Sequence, residues 1–157
     1  MTISSSDRVE VTTLVAAGLE LTFTVFTEEL DLWWRHGSRH RTQGDRSMLR
    51  LEAGVGGRLL EYGGVEATVL GEVLVWEPPR RLVLQWRRGH DEGQGTEVDV
   101  RFAAEGAGTR VTIEHRGWDR VPEGHRARQG LVGHAFEVAV GLWWGDLLVS
   151  LRACAKA

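Results

Sequence analysis

Residues 122–155, PEGHRARQGLVGHAFEVAVGLWWGDLLVSLRACA, decide the fold, because no other stretch can make a long helix. At about 100° per residue, Val132, Phe136, Ala139, Val140, Trp143, Leu147 and Leu151 share one face, with Trp144 at its edge. That face is wide, aromatic and continuous over about six turns, so it needs a large apolar partner. Opposite it, Gly130, Gly133, Gly141 and Gly145 form a stripe with His134 and Leu148. Each helical glycine costs about 1 kcal/mol of propensity against alanine. The stripe reads either as the compositional drift of a GC-rich genome or as a device that lets the helix bend or another surface come close.

The partner has to be a β-sheet, and the upstream sequence supplies one. Val9, Val11, Thr13 and Val15 alternate with Arg8, Glu10 and Thr12 as a first strand. Residues 18–26 and 28–35 read as two short helices separated by a break, with Thr27 as the N-cap of the second. Beyond a polar loop at 35–44, strands are expected at 47–52, 57–62, 68–76, 82–87, 97–102 and 110–116. The third ends at Glu77-Pro78-Pro79, because proline cannot donate to a ladder. Glu105-Gly106-Ala107-Gly108 closes a hairpin between the last two. In that hairpin Val98, Val100, Phe102, Val111, Ile113 and His115 point one way, and Glu97, Asp99, Arg101, Arg110, Thr112 and Glu114 the other. Such alternation describes an antiparallel sheet covered on one side.

The 157 residues suit a single domain, 1–157, with a real core. A formal net charge of −3 creates no field that would favour nucleic acid or an anionic membrane. One cysteine, Cys154, excludes a disulfide within the chain and fits a reducing cytosol. A polar start without a signal pattern, and no apolar run near the ~20 residues of a membrane span, point to a cytoplasmic chain without membrane insertion. A single lysine among many arginines suggests a GC-rich, bacterial genome.

Several short motifs occur in order along almost the whole chain. They are Phe26-Thr27 followed by Trp33-Trp34; Val55-Gly56-Gly57-Arg58-Leu59; and Gly71-Glu72-Val73 leading to Pro78-Pro79-Arg80-Arg81-Leu82 and Trp86. Gly108-Thr109-Arg110-Val111-Thr112 with His115-Arg116-Gly117, and Trp144-Gly145-Asp146-Leu147-Leu148, complete the set. Together they resemble the activator of heat-shock-protein-90 ATPase homologue-like family. That family belongs to the START-like (SRPBCC, Bet v 1-like) superfamily with polyketide cyclases, lipid-transfer proteins and plant hormone binders. The resemblance implies an α+β helix-grip fold: a strand, two short helices, six strands and a long helix over a curved antiparallel sheet. It also implies a deep, mostly apolar cavity between helix and sheet. Leu59 stands where the family has an aromatic residue, which reshapes that pocket.

Within this frame the inward-facing residues are candidate walls for a small hydrophobic ligand. They are Trp33, Trp86, Phe102, Ile113, His115, Phe136, Val140 and Trp143, drawn from a chain with seven tryptophans. A tryptophan-filled core is the competing reading of the same residues. His115, on the inward face at a strand end, is either the candidate acid or base or a histidine satisfied by a neighbour at the pocket mouth. Glu61 follows Leu59 inward and is its candidate partner. His36 and His40 have the i, i+4 spacing of helix metal ligands, but Gly37-Ser38 between them reads as loop and no acidic or cysteine ligand accompanies them. No metal and no cofactor are therefore expected. Arg35, Arg39, Arg41, Arg46 and Arg50 form a basic run that reads as a solvated edge or as a contact for an anionic ligand tail or an acidic partner. Gly54-x-Gly56-Gly57 lies between strands, so it is a turn and not a dinucleotide motif. Three functions remain open: binding of a lipid, polyketide-like or aromatic molecule; a cyclase- or dehydratase-like enzyme; and a co-chaperone or regulatory module, with a second copy of the chain or a chaperone as partner.

Overall fold

The computed structural model describes residues 8–34, 48–63, 66–86, 95–118 and 133–156. Element order is β1 (Arg8–Val15), α1 (Leu19–Glu28), α2 (Leu30–Trp33), β2 (Met48–Leu51), β3 (Arg58–Gly63), β4 (Glu66–Glu77), β5 (Arg81–Trp86), β6 (Thr96–Glu105), β7 (Gly108–Arg116) and α3 (Gly133–Cys154). This is the expected strand, two helices, six strands and long helix. The pair His36 and His40, the arginines from Arg35 to Arg46, and residues 122–132 of the expected helix lie outside the described residues.

All seven strands form one antiparallel, curled sheet in the order β1-β7-β6-β5-β4-β3-β2. The chain closes β1 onto β7 and lays α3 beside β1, touching α1 and α2 as well. The inner face of the sheet, α1, α2 and α3 share one apolar core. Two loop-spanning hydrogen bonds hold the short helices in place. Thr109 Oγ1 donates to the Ala17 carbonyl at 2.7 Å, tying β7 to the entrance of α1. The Leu49 N–H donates to Asp31 Oδ1 at 2.9 Å, tying β2 to α2.

Two glycines of the sequence motifs are required by close backbone approach. A Cβ at Gly71 would lie 1.9 Å from the Gln85 carbonyl oxygen, and one at Gly57 2.1 Å from that of Glu52. Neither neighbour can move without breaking the sheet, so only glycine fits there.

Three expectations change. Thr27 is not an N-cap: it lies inside α1, and its hydroxyl donates back to the Phe23 carbonyl at 2.8 Å. Asp99 points to the outer face as expected, yet it is fully buried beneath arginines. The third change concerns α3, whose buried stripe runs Phe136, Val140, Trp144, Leu147, Leu148, Leu151 and Ala155. It is centred on Trp144, and Leu148 joins it instead of the glycine side. Trp143 packs against the core from its margin, only partly buried. The reason is visible in the sequence. Val138, Leu142 and Val149 are apolar but exposed, so hydrophobicity surrounds α3 and blurs the direction of its face.

Candidate functional site

The inner face of the sheet carries buried polar groups among apolar ones: Thr13 on β1, Glu61 on β3, Thr96 on β6, and Thr109 and His115 on β7. Thr96, His115 and Glu61 bear on the site, and all three are fully buried. The alternation of each strand puts them there. Thr96 precedes Val98 by two residues and stands opposite Trp86 of β5, while His115 stands opposite Val98. Glu61 stands opposite Leu49. Leu59 and Glu61 therefore share the inner face, with Leu60 turned outward opposite Arg50 and Val69.

His115 bridges helix and sheet. The Trp144 indole Nε1–H donates to His115 Nδ1 at 3.1 Å, and His115 Nε2 lies 2.7 Å from Thr96 Oγ1. An indole nitrogen can only donate. Nδ1 must therefore be the bare nitrogen, the ring is neutral, and its proton sits on Nε2 facing Thr96.

Around this bridge the aromatic residues form a continuous array. Trp118 packs on His115 with centroids 4.7 Å apart, and Phe136 meets Trp118 edge-on at 4.7 Å. Trp143 lies 6.1 Å from both His115 and Trp86. Trp34 stacks on Trp86 at 5.4 Å and meets the edge of Trp144 at 5.4 Å. Trp33 joins Trp34 at 5.4 Å and Phe26 at 4.8 Å, and Phe26 reaches Phe102 at 5.5 Å. Aromatic pairs at these separations add roughly 0.5–1.5 kcal/mol beyond burial.

The residues read as ligand walls thus share one core: Trp33, Trp86, Phe102, Ile113, His115, Phe136 and Val140 are buried and Trp143 partly so. Glu61 and His115 stand on different strands of the inner face. Four strand steps separate β3 from β7, about 19 Å along the surface at ~4.8 Å per step, and both His115 nitrogens are engaged elsewhere. Sequence reasoning missed Trp34, Trp118, Trp144 and Thr96 as members of the site. Trp34 and Trp144 each adjoin a tryptophan that was chosen, and period alone could not say which of two neighbours faces inward. Extending the β6 alternation by one step would have found Thr96.

The reverse side of β6 is a charge cluster. Asp99 accepts from Arg81 at 3.0 and 3.2 Å, from Arg116 at 2.8 Å and from Arg101 at 3.3 Å. Burial pushes its carboxyl up, but the hydrogen bonds from Arg81 and Arg116 and the charge of Arg101 outweigh it and hold the group below the usual carboxylate range. Arg116 also reaches Glu97 and Glu114. Signs balance across this face, so it offers no net basic surface. Among the described residues no group of three or more His, Cys, Asp or Glu side chains could hold a metal ion. No helix among them is long and apolar enough to cross a membrane.

The sequence model of the family described as Activator of Hsp90 ATPase homolog 1-like protein matches residues 16–150. The chain belongs to this family. Solved structures agree on the fold. The Aha1 dimer of Colwellia psychrerythraea is 16% identical, covering 95% of this chain and 96% of its own, with a TM-score of 0.64. The HSP90 activator PFC0360w of Plasmodium falciparum is 21% identical, with 94% of each chain covered and a TM-score of 0.64. The anthrahydroquino-γ-pyrone synthase Txn09 is 28% identical, covering 93% of this chain and 95% of its own, with a TM-score of 0.62. A search among curated proteins returned no match. The family motifs now have physical meanings: the glycine of Gly71-Glu72-Val73 admits β5, and the threonine of Gly108-Thr109-Arg110 anchors α1.

Proposed function

We propose that this chain binds a flat, hydrophobic, aromatic or polyketide-like molecule between α3 and the inner face of the sheet. One observation carries the reading: a contiguous array of indoles surrounds a neutral, buried histidine, so stacking surface and directed polar groups converge at one place. Its likeness to an anthrahydroquino-γ-pyrone synthase supports the same ligand class. Native mass spectrometry of the purified protein is expected to show a co-purified small molecule. A broad lipid and aromatic thermal-shift screen should give hits among fused aromatic compounds. A bare mass together with a screen without hits would sink the reading.

The same likeness favours a second reading, a cyclase-like enzyme that folds a flexible substrate into position. His115 could serve it as acid or base only with the Trp144 bond released, because Nδ1 is the basic nitrogen and Trp144 holds it. Given a substrate, His115→Ala should abolish turnover while keeping most binding; unchanged turnover excludes His115 from that role. The family description supports a further reading, a chaperone role, which would use exposed surface. It predicts that the chain stimulates an Hsp90 ATPase in a purified assay, and a flat response rules it out.

A further inference from the structure

The hydrogen bonds of the site run in one direction, and they end on Thr96. Trp144 donates to His115 Nδ1, which leaves the imidazole proton on Nε2. Nε2–H then donates to Thr96 Oγ1 across 2.7 Å. The threonine oxygen is the acceptor of that bond, so its own O–H is left to donate. Thr96 is fully buried on the inner face, and among the described contacts its hydroxyl bonds His115 alone.

Trp143 touches both aromatic neighbours of Thr96. Thr96 stands opposite Trp86 on one side, and it is bonded to His115 on the other. The Trp143 ring is 6.1 Å from each of those two rings. Trp143 is also the partly exposed member of the array on α3. A flat ring that displaced it would stack against Trp86 and present its edge to the Thr96 hydroxyl.

Resting on the ligand-binding reading above, we propose that Thr96 is the ligand-contacting donor of this site, with His115 and Trp144 as its positioning residues. The ligand class follows from the chemistry. A site that ends in a donor selects an acceptor, so the molecule is a fused aromatic carrying a quinone, ketone or phenolate oxygen, seated where Trp143 now lies. His115 then serves to orient a hydroxyl and not to take a proton.

The test compares matched probes, anthraquinone-2-sulfonate and anthracene-2-sulfonate, by quenching of tryptophan fluorescence. Wild-type protein is expected to prefer the quinone by about tenfold, the worth of one well-made buried hydrogen bond. Thr96→Val should erase that preference while leaving the anthracene affinity within about twofold, and Thr96→Ser should restore it. A preference that survives Thr96→Val, or no preference in the wild type, overturns the inference and leaves the binding reading standing. Binding of neither probe overturns both. Should Thr96→Val fail to fold, long-range ¹⁵N–¹H correlation on the unmodified protein decides: His115 in the Nε2–H form is required, and the Nδ1–H form overturns the relay.

Discussion

The indoles of Trp34 and Trp86 stack with centroids 5.4 Å apart and planes 15° from parallel. Trp34 caps α2 and Trp86 ends β5, so one stacked pair fastens the helical layer to the middle of the sheet. Trp34 is fully buried and also meets Trp33, Trp143 and Trp144. Trp34→Ala should cost about 3–5 kcal/mol in urea unfolding. Trp76→Ala should cost less, because Trp76 is partly buried at the edge of Phe23. A double-mutant cycle between Trp34 and Trp86 should return a coupling of about 0.5–1.5 kcal/mol. A loss below about 1 kcal/mol for Trp34→Ala would show that the aromatic array is not packed as described.

Asp99 gathers three arginines on the outer face of the sheet. Asp99→Asn leaves those cations without their carboxylate. The arginines are partly exposed, so the loss at pH 7 should be about 1–3 kcal/mol, below that of a wholly buried pair. The pH dependence has a definite sign. The folded carboxyl is held below its unfolded value of about 3.9. Its stabilisation is therefore complete above that value and disappears as pH falls through the lower, folded one. Wild type and Asp99→Asn should converge in stability as pH falls through the folded value. A gap that stays constant from pH 7 to pH 2 would mean that the charge of Asp99 is not what the cluster uses.

Much of this was legible in the residues because period and punctuation agree. Val98, Val100, Phe102, Val111 and Ile113 fixed the faces of the β6–β7 hairpin, and the Gly106-Ala107 turn fixed its register. The α3 face was harder. Two adjacent tryptophans differ by about 100° on a helix, and Val138 and Leu142 make either choice look apolar from outside. Thr96 was hidden for a different reason. A threonine at a strand start looks like an edge residue; the β6 alternation reaches it only when extended by one step, and its bond to His115 comes from the partner strand. Asp99 shows the same limit, since its arginines arrive from β5, β6 and β7 and no local pattern announces them.

The glycines divide into two kinds that substitution separates. Gly71→Ala places a methyl against the Gln85 carbonyl and should cost more than about 3 kcal/mol, or prevent folding. A methyl at Gly141 would sit 3.8 Å from Val9 Cγ1, ordinary contact, and one at Gly145 meets nothing within 4 Å. Both positions lie inside α3. Gly141→Ala and Gly145→Ala should each raise stability by up to about 1 kcal/mol, read as a higher thermal midpoint. Destabilisation at Gly145 would reveal a packed surface there that the fold does not show.

Those same glycines bear on how a ligand reaches a core as closed as this one. Trp144 is fully buried and bonded to His115, so access to Thr96 and Trp86 requires part of α3 to lift or bend. Gly141 and Gly145 flank Trp143 and Trp144, which places the weakest helical propensity beside the groups that must move. Native-state amide exchange should therefore be faster across 141–145 than in β6 and β7, on the order of tenfold. A bound aromatic probe should slow it. The Gly141→Ala/Gly145→Ala double variant should slow it without any ligand, and should also slow probe association. Protection at 141–145 equal to that of β6 and β7 would remove α3 as the moving part.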